Sequence, residues 1–295
     1  ESANDAAVAI AEHISGSVEE FAKLMNQKAK ELGAINTSFV NPHGLPDDNH
    51  YTTAEDLALI ANYGMTLPKF RDVVKTVKYT IPQTNKQPER DYITNSNKSI
   101  WTINKKFHYE YAIGIKTGYT TKAKNCFVSA AEKDGIELLS VLLGKETKPD
   151  SNIYTETREL FEYGFSNYHN KKLLEKNQIV TTVNVSGLED KLNILSWEEF
   201  SLLLSDDELQ RLKSSITVNE DIKRPIMKGE TLGYITYSLD EKELKRIALV
   251  SSEEVPLPSK SKIWILFAMF GFIFGRIIIA FLKRLKNKRR TKYRL

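Results

Sequence analysis

The sequence predicts an α+β fold, and three observations carry that prediction. Helical periods dominate residues 1–75, three hydrophobic runs follow one another between 111 and 143 with no helix between them, and one more amphipathic helix follows at about Ile153 to Phe165. Helices and strands that come in separate blocks argue for helices layered on an antiparallel sheet rather than for alternating α/β units. A length of 295 residues adds about one further domain.

The expected elements run as follows. Ala6 to Ile14 is Ala-rich and helical, with Asn4 or Asp5 as its cap. Ser17-Val18-Glu19-Glu20 is a capping box that opens a second helix, whose Phe21, Leu24, Met25 and Ala29 share one face before Gly33 ends it. Asn41-Pro42-His43-Gly44-Leu45-Pro46 is a rigid loop, in which His43 has a structural rather than a basic role. Thr52-Thr53-Ala54-Glu55 opens a third helix with Leu57, Ile60 and Ala61 inward, and Pro68 starts a short fourth one. Residues 75–110 are polar, with strand-like pieces such as Val77 to Ile81. Asn125 to Glu132 and Ile136 to Leu143 form a hairpin across Asp134-Gly135. From Leu173 to Val250 short β-rich runs alternate with turn residues, as in a small all-β domain.

The stretch Ile113-Gly114-Ile115-Lys116-Thr117-Gly118-Tyr119-Thr120 is the candidate site. Read as a strand, Tyr111, Ile113 and Ile115 face a core, while Ala112, Gly114 and Lys116 form a nearly bare face that ends in one ammonium. Gly118 is expected to let the chain turn away. This is a sheet edge suited to an extended peptide with a free carboxylate. Lys-Thr-Gly alone is weak, arising by chance in about one chain of this length in twenty. A lysine on an edge strand also deters aggregation without any ligand.

Charge and cysteine usage narrow the class. Eight Lys and Arg fall in the last thirteen residues with no acid among them, so the other residues carry a net −4 against +4 for the whole chain. Nucleic acid is therefore excluded as the expected partner. Cys126 is the only cysteine and is expected to be a small buried strand residue. The five His show no ligand spacing, so neither a metal nor a cofactor is expected. Ile263 to Leu282 holds one charge, Arg276, over twenty residues. At 1.5 Å per residue that is about 30 Å, the thickness of bilayer hydrocarbon. With Trp264 at one end and the basic tail at the other, the run is expected to span a membrane once, with the C-terminus cytoplasmic and the folded part outside. A helix lying on the membrane surface is the rival.

Ser2-Ala3-Asn4, followed about 110 residues later by Lys116-Thr117-Gly118, resembles the second and third motifs of the penicillin-recognising serine enzymes. The Asn41-Pro42-His43-Gly44-Leu45 segment and the Lys116-Thr117-Gly118-Tyr119-Thr120 context resemble more narrowly the low-molecular-mass penicillin-binding proteins, which are serine-type D-alanyl-D-alanine carboxypeptidases. The resemblance implies a partial transpeptidase-like catalytic domain over 1–166, an all-β domain over 167–255, a stalk at 256–262, the membrane helix at 263–282 and a tail at 283–295. It implies removal of the terminal D-alanine from peptidoglycan stem peptides through a seryl acyl-enzyme, with β-lactams and membrane lipid as further partners. Ser2 would relay a proton, Asn4 would hold the substrate side, and Lys116 would supply positive potential. Thr117 would bind the terminal carboxylate beside Gly118, and the Tyr119 N–H would be one oxyanion donor.

The family's first motif, S-x-x-K, is expected upstream of Ser2 and is not in this sequence. Its sole occurrence is Ser259-Lys260-Ser261-Lys262, at the membrane edge. The chain also starts without Met, inside an expected helix start, so an N-terminal portion is expected to be missing. The chain as given is then expected to be inactive and not acylated. Two alternatives stand beside this reading. One is a membrane-anchored peptidoglycan-binding protein without catalysis; the other is a β-lactamase, for which Glu89 would be the candidate deacylating acid.

Overall fold

The structure is a computed structural model and describes residues 1–148, 152–257, 269–280 and 282–283. The chain divides into two compact units, one of Glu1–Asn170 with Leu203–Asp206 and one of Lys171–Leu202 with the chain from Asp207 onward.

The first unit opens with four helices: α1 (Asn4–Ser15), α2 (Val18–Glu31), α3 (Ala54–Met65) and α4 (Pro68–Lys75). Ser17 caps α2 by accepting from the Glu20 N–H at 3.2 Å, which is half of the expected capping box; the Glu20 carboxylate instead accepts from Lys23. The cap expected for α1 is absent: Ala3 holds the N-cap position without a side-chain bond, and Asn4 lies inside the helix. In α2 Ala29 is buried as expected, but Leu24 is exposed and Ala22 is buried beside Ala29. In α3, Thr53 caps the Asp56 N–H. The carboxylate of Asp56 is buried and accepts from the Asn36 N–H (2.8 Å) and the Thr37 hydroxyl (2.6 Å), tying α3 to the preceding loop.

Strands β1 (Lys78–Ile81) and β2 (Arg90–Thr94) form a small antiparallel hairpin. Glu89 lies exposed beside β2 at the end of their connection. Strands β3 (Ala112–Thr120), β4 (Lys124–Lys133) and β5 (Ile136–Lys145) form an antiparallel sheet in the order β3-β4-β5, followed by α5 (Ile153–Asn167). Both Asp134 and Gly135 have positive φ, 51° and 76°, as the tight turn between β4 and β5 requires. Alternate residues of the sheet face opposite layers. Ile113, Ile115, Ala130 and Leu139 pack with Ala61, Met65, Phe70 and Val74 of α3 and α4, whereas Ala131 and Leu138 pack with Phe161 and Phe165 of α5. Tyr111 joins the α5 side rather than sharing a face with Ile113, because the β3–β4 register shifts between Ala112 and Gly114. Cys126 sits in β4 as expected, but half-buried.

The loop before α3 organises itself. Asn41 accepts from the Gly44 N–H at 2.7 Å and donates to the Leu45 carbonyl, and His43 Nδ1 accepts from the Leu45 N–H. His50 Nδ1 accepts from the Val40 N–H at 3.2 Å, which requires that nitrogen to be unprotonated. Burial lowers the pKa of His50, with Asp47 opposing the shift and His43 adding to it. The unfolded chain then binds a proton at pH values where the folded chain does not, so stability falls as pH drops through about 6.5. The protection factor of the Val40 amide, its exchange relative to the intrinsic rate at each pH, is expected to fall over that window in the wild type and to stay level in His50→Phe. A wild-type protection factor indifferent to pH would refute this.

The second unit is built on β-strands. β6 (Tyr168–Leu174) and β9 (Phe200–Ser205), of which Tyr168–Asn170 and Leu203–Ser205 count with the first unit, pair with each other. β7 (Ile179–Val183), β8 (Leu192–Ser196), β10 (Lys213–Val218), β11 (Thr231–Leu239) and β12 (Lys242–Ser251) form an antiparallel sheet in the order β10-β11-β12-β8-β7, and the short helix α6 (Asp206–Arg211) precedes β10. Leu192, Ile194, Ile235, Ile247 and Leu249 bury one face of this sheet.

Among the described residues no helix is long and apolar enough to cross a membrane. Residues 269–280 are helical, with Phe270, Phe272, Phe274 and Ile277 exposed. The remainder of the expected span, 263–268 and 281, lies outside the described residues, as does Ser259-Lys260-Ser261-Lys262.

Candidate active site

β3 is the outer strand of its sheet, as the bare-backboned sequence suggested, but its two glycines play other parts. Gly114 is buried under α4: a Cβ there would stand 2.7 Å from Val74 Cγ2, so the missing side chain admits a helix and not a ligand. Gly118 makes no turn. It pairs with Cys126 inside the strand, and the chain reverses only after Thr120. Space above Gly118 is open, with no atom within 4 Å of where its Cβ would be. The bare, accessible part of the edge therefore runs over Lys116–Tyr119.

The Lys116 ammonium stands at the head of this edge. It donates to Ser2 Oγ at 3.1 Å, across 114 residues of sequence, and also to the Thr117 carbonyl. Burial holds its pKa below the ordinary lysine value. Asn4, on the first turn of α1, is exposed and makes no side-chain hydrogen bond among the described residues. Two of the three motif groups thus meet, and the third stands nearby in sequence without a partner. Tyr119 is 67% exposed, so its ring offers a surface and not a core contact.

Thr117 Oγ1 donates to Ser96 Oγ at 3.0 Å, a partner the sequence reading missed. Ser96 is fixed from behind: its carbonyl accepts from the Tyr154 hydroxyl of α5 at 3.2 Å. Asn95 donates to the Val74 and Thr76 carbonyls, and its Oδ1 accepts from the Asn97 N–H. Asn97 in turn accepts from the N–H and hydroxyl of Ser99. The alternation Asn95-Ser96-Asn97-Lys98-Ser99 is a run of side chains that bond their own backbone, and it was the available signal. Beside these groups opens a cavity of about 570 Å³ lined by Glu1, Asp72, Val77, Ile93, Ser96 and Lys116 among others. Lys122, in the turn after β3, pairs with Asp48 and so draws the Asn41–Asp48 loop towards the end of the strand. Among the described residues no group of His, Cys, Asp and Glu is placed to hold a metal.

The Lys116 ammonium, the hydroxyls of Ser2, Thr117 and Ser96 and an open antiparallel edge together can hold an extended chain that ends in an anion, and the comparisons supply the class of protein. Residues 1–147 match the D-alanyl-D-alanine carboxypeptidase family, residues 168–257 match the C-terminal domain of penicillin-binding protein 5, and the chain belongs to the low-molecular-mass penicillin-binding proteins. It is 36% identical over 262 residues to D-alanyl-D-alanine carboxypeptidase DacF of Bacillus subtilis, an alignment covering 86% of this chain and 63% of that protein. It is 30% identical to D-alanyl-D-alanine carboxypeptidase DacC of Escherichia coli, over 86% of this chain and 61% of that one. The structure is similar to penicillin-binding protein 5 of Haemophilus influenzae, with a TM-score of 0.59 and 28% identity over 86% of this chain and 71% of that chain. The chain thus spans about three fifths of the length of these two curated relatives.

Proposed function

We propose that these residues form the substrate-binding side of a serine-type D-alanyl-D-alanine carboxypeptidase that removes the terminal D-alanine from peptidoglycan stem peptides. The hydrogen bond from Lys116 to Ser2 carries the reading, because it joins the two motifs on which the chemistry depends. In the proposed reaction a seryl oxygen adds to the penultimate D-alanine carbonyl, the C–N bond breaks, and D-alanine leaves as the amine. Ser2 conveys the proton to that amine, Lys116 and Thr117 hold its carboxylate, and the Tyr119 N–H faces the oxyanion. Asn4 flanks the bound peptide, and water then hydrolyses the ester. β-Lactams present a similar carboxylate and acyl group to the same edge. Residues 263–282 anchor the protein in the membrane as a single span with the folded units outside.

Among the described residues there is no Ser-x-x-Lys at this edge. This polypeptide is therefore expected to take up no covalent label from a fluorescent penicillin on a denaturing gel, while still binding an acetylated peptide ending in D-Ala-D-Ala without covalent change. A labelled band would refute the first expectation; equal binding of an L-Ala-L-Ala peptide would refute the second. The position of Glu89, exposed beside the β1–β2 hairpin and absent from the cavity lining, weighs against the β-lactamase reading.

A further inference from the structure

The outer face of the second unit's sheet carries groups that its core does not use. Register places Thr217 of β10 opposite Tyr234 of β11, and Tyr234 opposite Ala248 of β12. The Trp197 N–H donates to the Ala248 carbonyl, extending the same row across one more strand. Cross-strand neighbours share a face, so Tyr234 and Trp197 stand on one side, two strand spacings or about 10 Å apart. The small Ala248 leaves the floor between them low. Their face is the solvent side, because Ile235, Ile247 and Leu249, one position along, are buried. Trp197 is 58% exposed, a large aromatic surface without a packing duty.

The next row on this face is Ser215, Thr236 and Arg246. The Arg246 guanidinium lies 4.0 Å from the Tyr234 ring centroid, and among the described residues it has no acidic partner. Stacking fixes its plane and leaves its N–H donors free. The hydroxyls of Ser215, Thr217 and Thr236 likewise make no side-chain hydrogen bond among the described residues. An exposed indole and a half-buried tyrosine ring with the Arg246 guanidinium over one face form a strip, bordered by hydroxyls, that suits a ligand apolar on its faces and polar on its edges.

We propose that this strip binds a β-1,4-linked strand of N-acetylated amino sugars, the chemistry of a peptidoglycan backbone, at a site separate from the stem-peptide site. Sugar rings present axial C–H groups to aromatic faces and hydroxyl or acetamido groups to the rim. By strand spacing the two residues stand about one disaccharide repeat apart, so they meet the same face of every second sugar along one extended strand. An anionic lipid or polyanionic polymer is the poorer match, because residues 168–257 hold 12 Lys and Arg against 16 Asp and Glu. Glu198 and Glu199, directly after Trp197, are occupied by Lys245 and Lys172, so the rim is balanced in charge and not basic.

The test uses the full chain in detergent with two probes: peptide-free glycan strands, and a soluble hexamer of β-1,4-linked N-acetylglucosamine. The wild type is expected to sediment with the strands and to shift its tryptophan fluorescence with the hexamer. Trp197→Ala and Tyr234→Ala are each expected to weaken binding by about fivefold to tenfold, while thermal unfolding and D-Ala-D-Ala peptide binding stay unchanged. Lys116→Ala is expected to leave glycan binding intact, so that failure of the stem-peptide reading and failure of this one are separately visible. Equal binding by Trp197→Ala and wild type overturns the proposal. So does binding to phosphatidylglycerol vesicles in place of the glycan, or loss of glycan binding in Lys116→Ala.

Discussion

Lys116→Ala is expected to weaken binding of an acetylated D-Ala-D-Ala peptide by about 10- to 100-fold, without lowering the melting temperature. A hydrogen bond to a charged group is worth about 1.5–3 kcal/mol, which converts to that range. Partial desolvation of this ammonium, on a residue that stays exposed by surface area, lowers the lysine pKa. Affinity is therefore expected to fall as pH rises through a value below the free-lysine figure of about 10.4. Stability moves the other way in that window. The unfolded chain still holds the proton there and the folded chain does not, so folding becomes more favourable with rising pH. Loss of peptide without loss of fold then separates titration of the site from alkaline unfolding. Arginine is not expected to rescue, since a planar guanidinium cannot place one compact donor between Ser2 Oγ and the Thr117 carbonyl. Isothermal titration with the D-Ala-D-Ala peptide and with its C-terminal amide measures all of this. A Lys116→Ala variant within twofold of wild type, or an affinity flat through alkaline pH, would sink the carboxylate role.

How far the sequence disclosed this site depends on the kind of signal. Local chemistry was legible: the Asp134-Gly135 turn with both φ positive, the Ser17 and Thr53 caps, and the self-bonded Asn41–Leu45 loop all follow from a few adjacent residues. The meeting of Ser2 with Lys116 was reachable only through family resemblance, because nothing local links positions 114 apart. β2 and the Asn95–Ser99 run were missed. Arg90–Thr94 shows no clean alternation, and its hairpin stands largely in solvent, where burial imposes no period. Asp56 shows the same limit: a carboxylate on a helix reads as surface until the Asn36 and Thr37 donors that satisfy it come from a loop twenty residues earlier. The two glycines of β3 are the sharpest case. Sequence alone marks Gly114 as a close approach and Gly118 as a turn; only the position of α4 shows that protein fills the space at Gly114, while Gly118 stays inside the strand under open space.

Gly114→Ala and Gly118→Ala are accordingly expected to part company. At Gly114 the new Cβ would stand 2.7 Å from Val74 Cγ2 and 3.2 Å from Val74 Cβ, on a residue whose φ of +149° strains any L side chain. Val74 is short and branched at Cβ, so no rotamer clears the contact and α4 itself must move. Arg71 resists that movement by bonding Glu137 and the Met65 carbonyl, and Asn95 resists it by holding the Val74 and Thr76 carbonyls. Overpacking and backbone strain together are expected to cost about 2–4 kcal/mol. Peptide binding is expected to weaken as well, because a displaced Asn95 carries Ser96 away from Thr117. Adding Val74→Ala should relieve the clash and return part of the stability, leaving the φ strain. Gly118→Ala meets open space at an ordinary φ, so its stability should stay within about 0.5 kcal/mol of wild type. Its Cβ rises instead into the path of the peptide, and binding alone should fail. Chemical denaturation and peptide titration of the variants decide the matter: a stable Gly114→Ala, or a Gly118→Ala that binds normally, would mean that α4 and the substrate have been assigned to the wrong glycines.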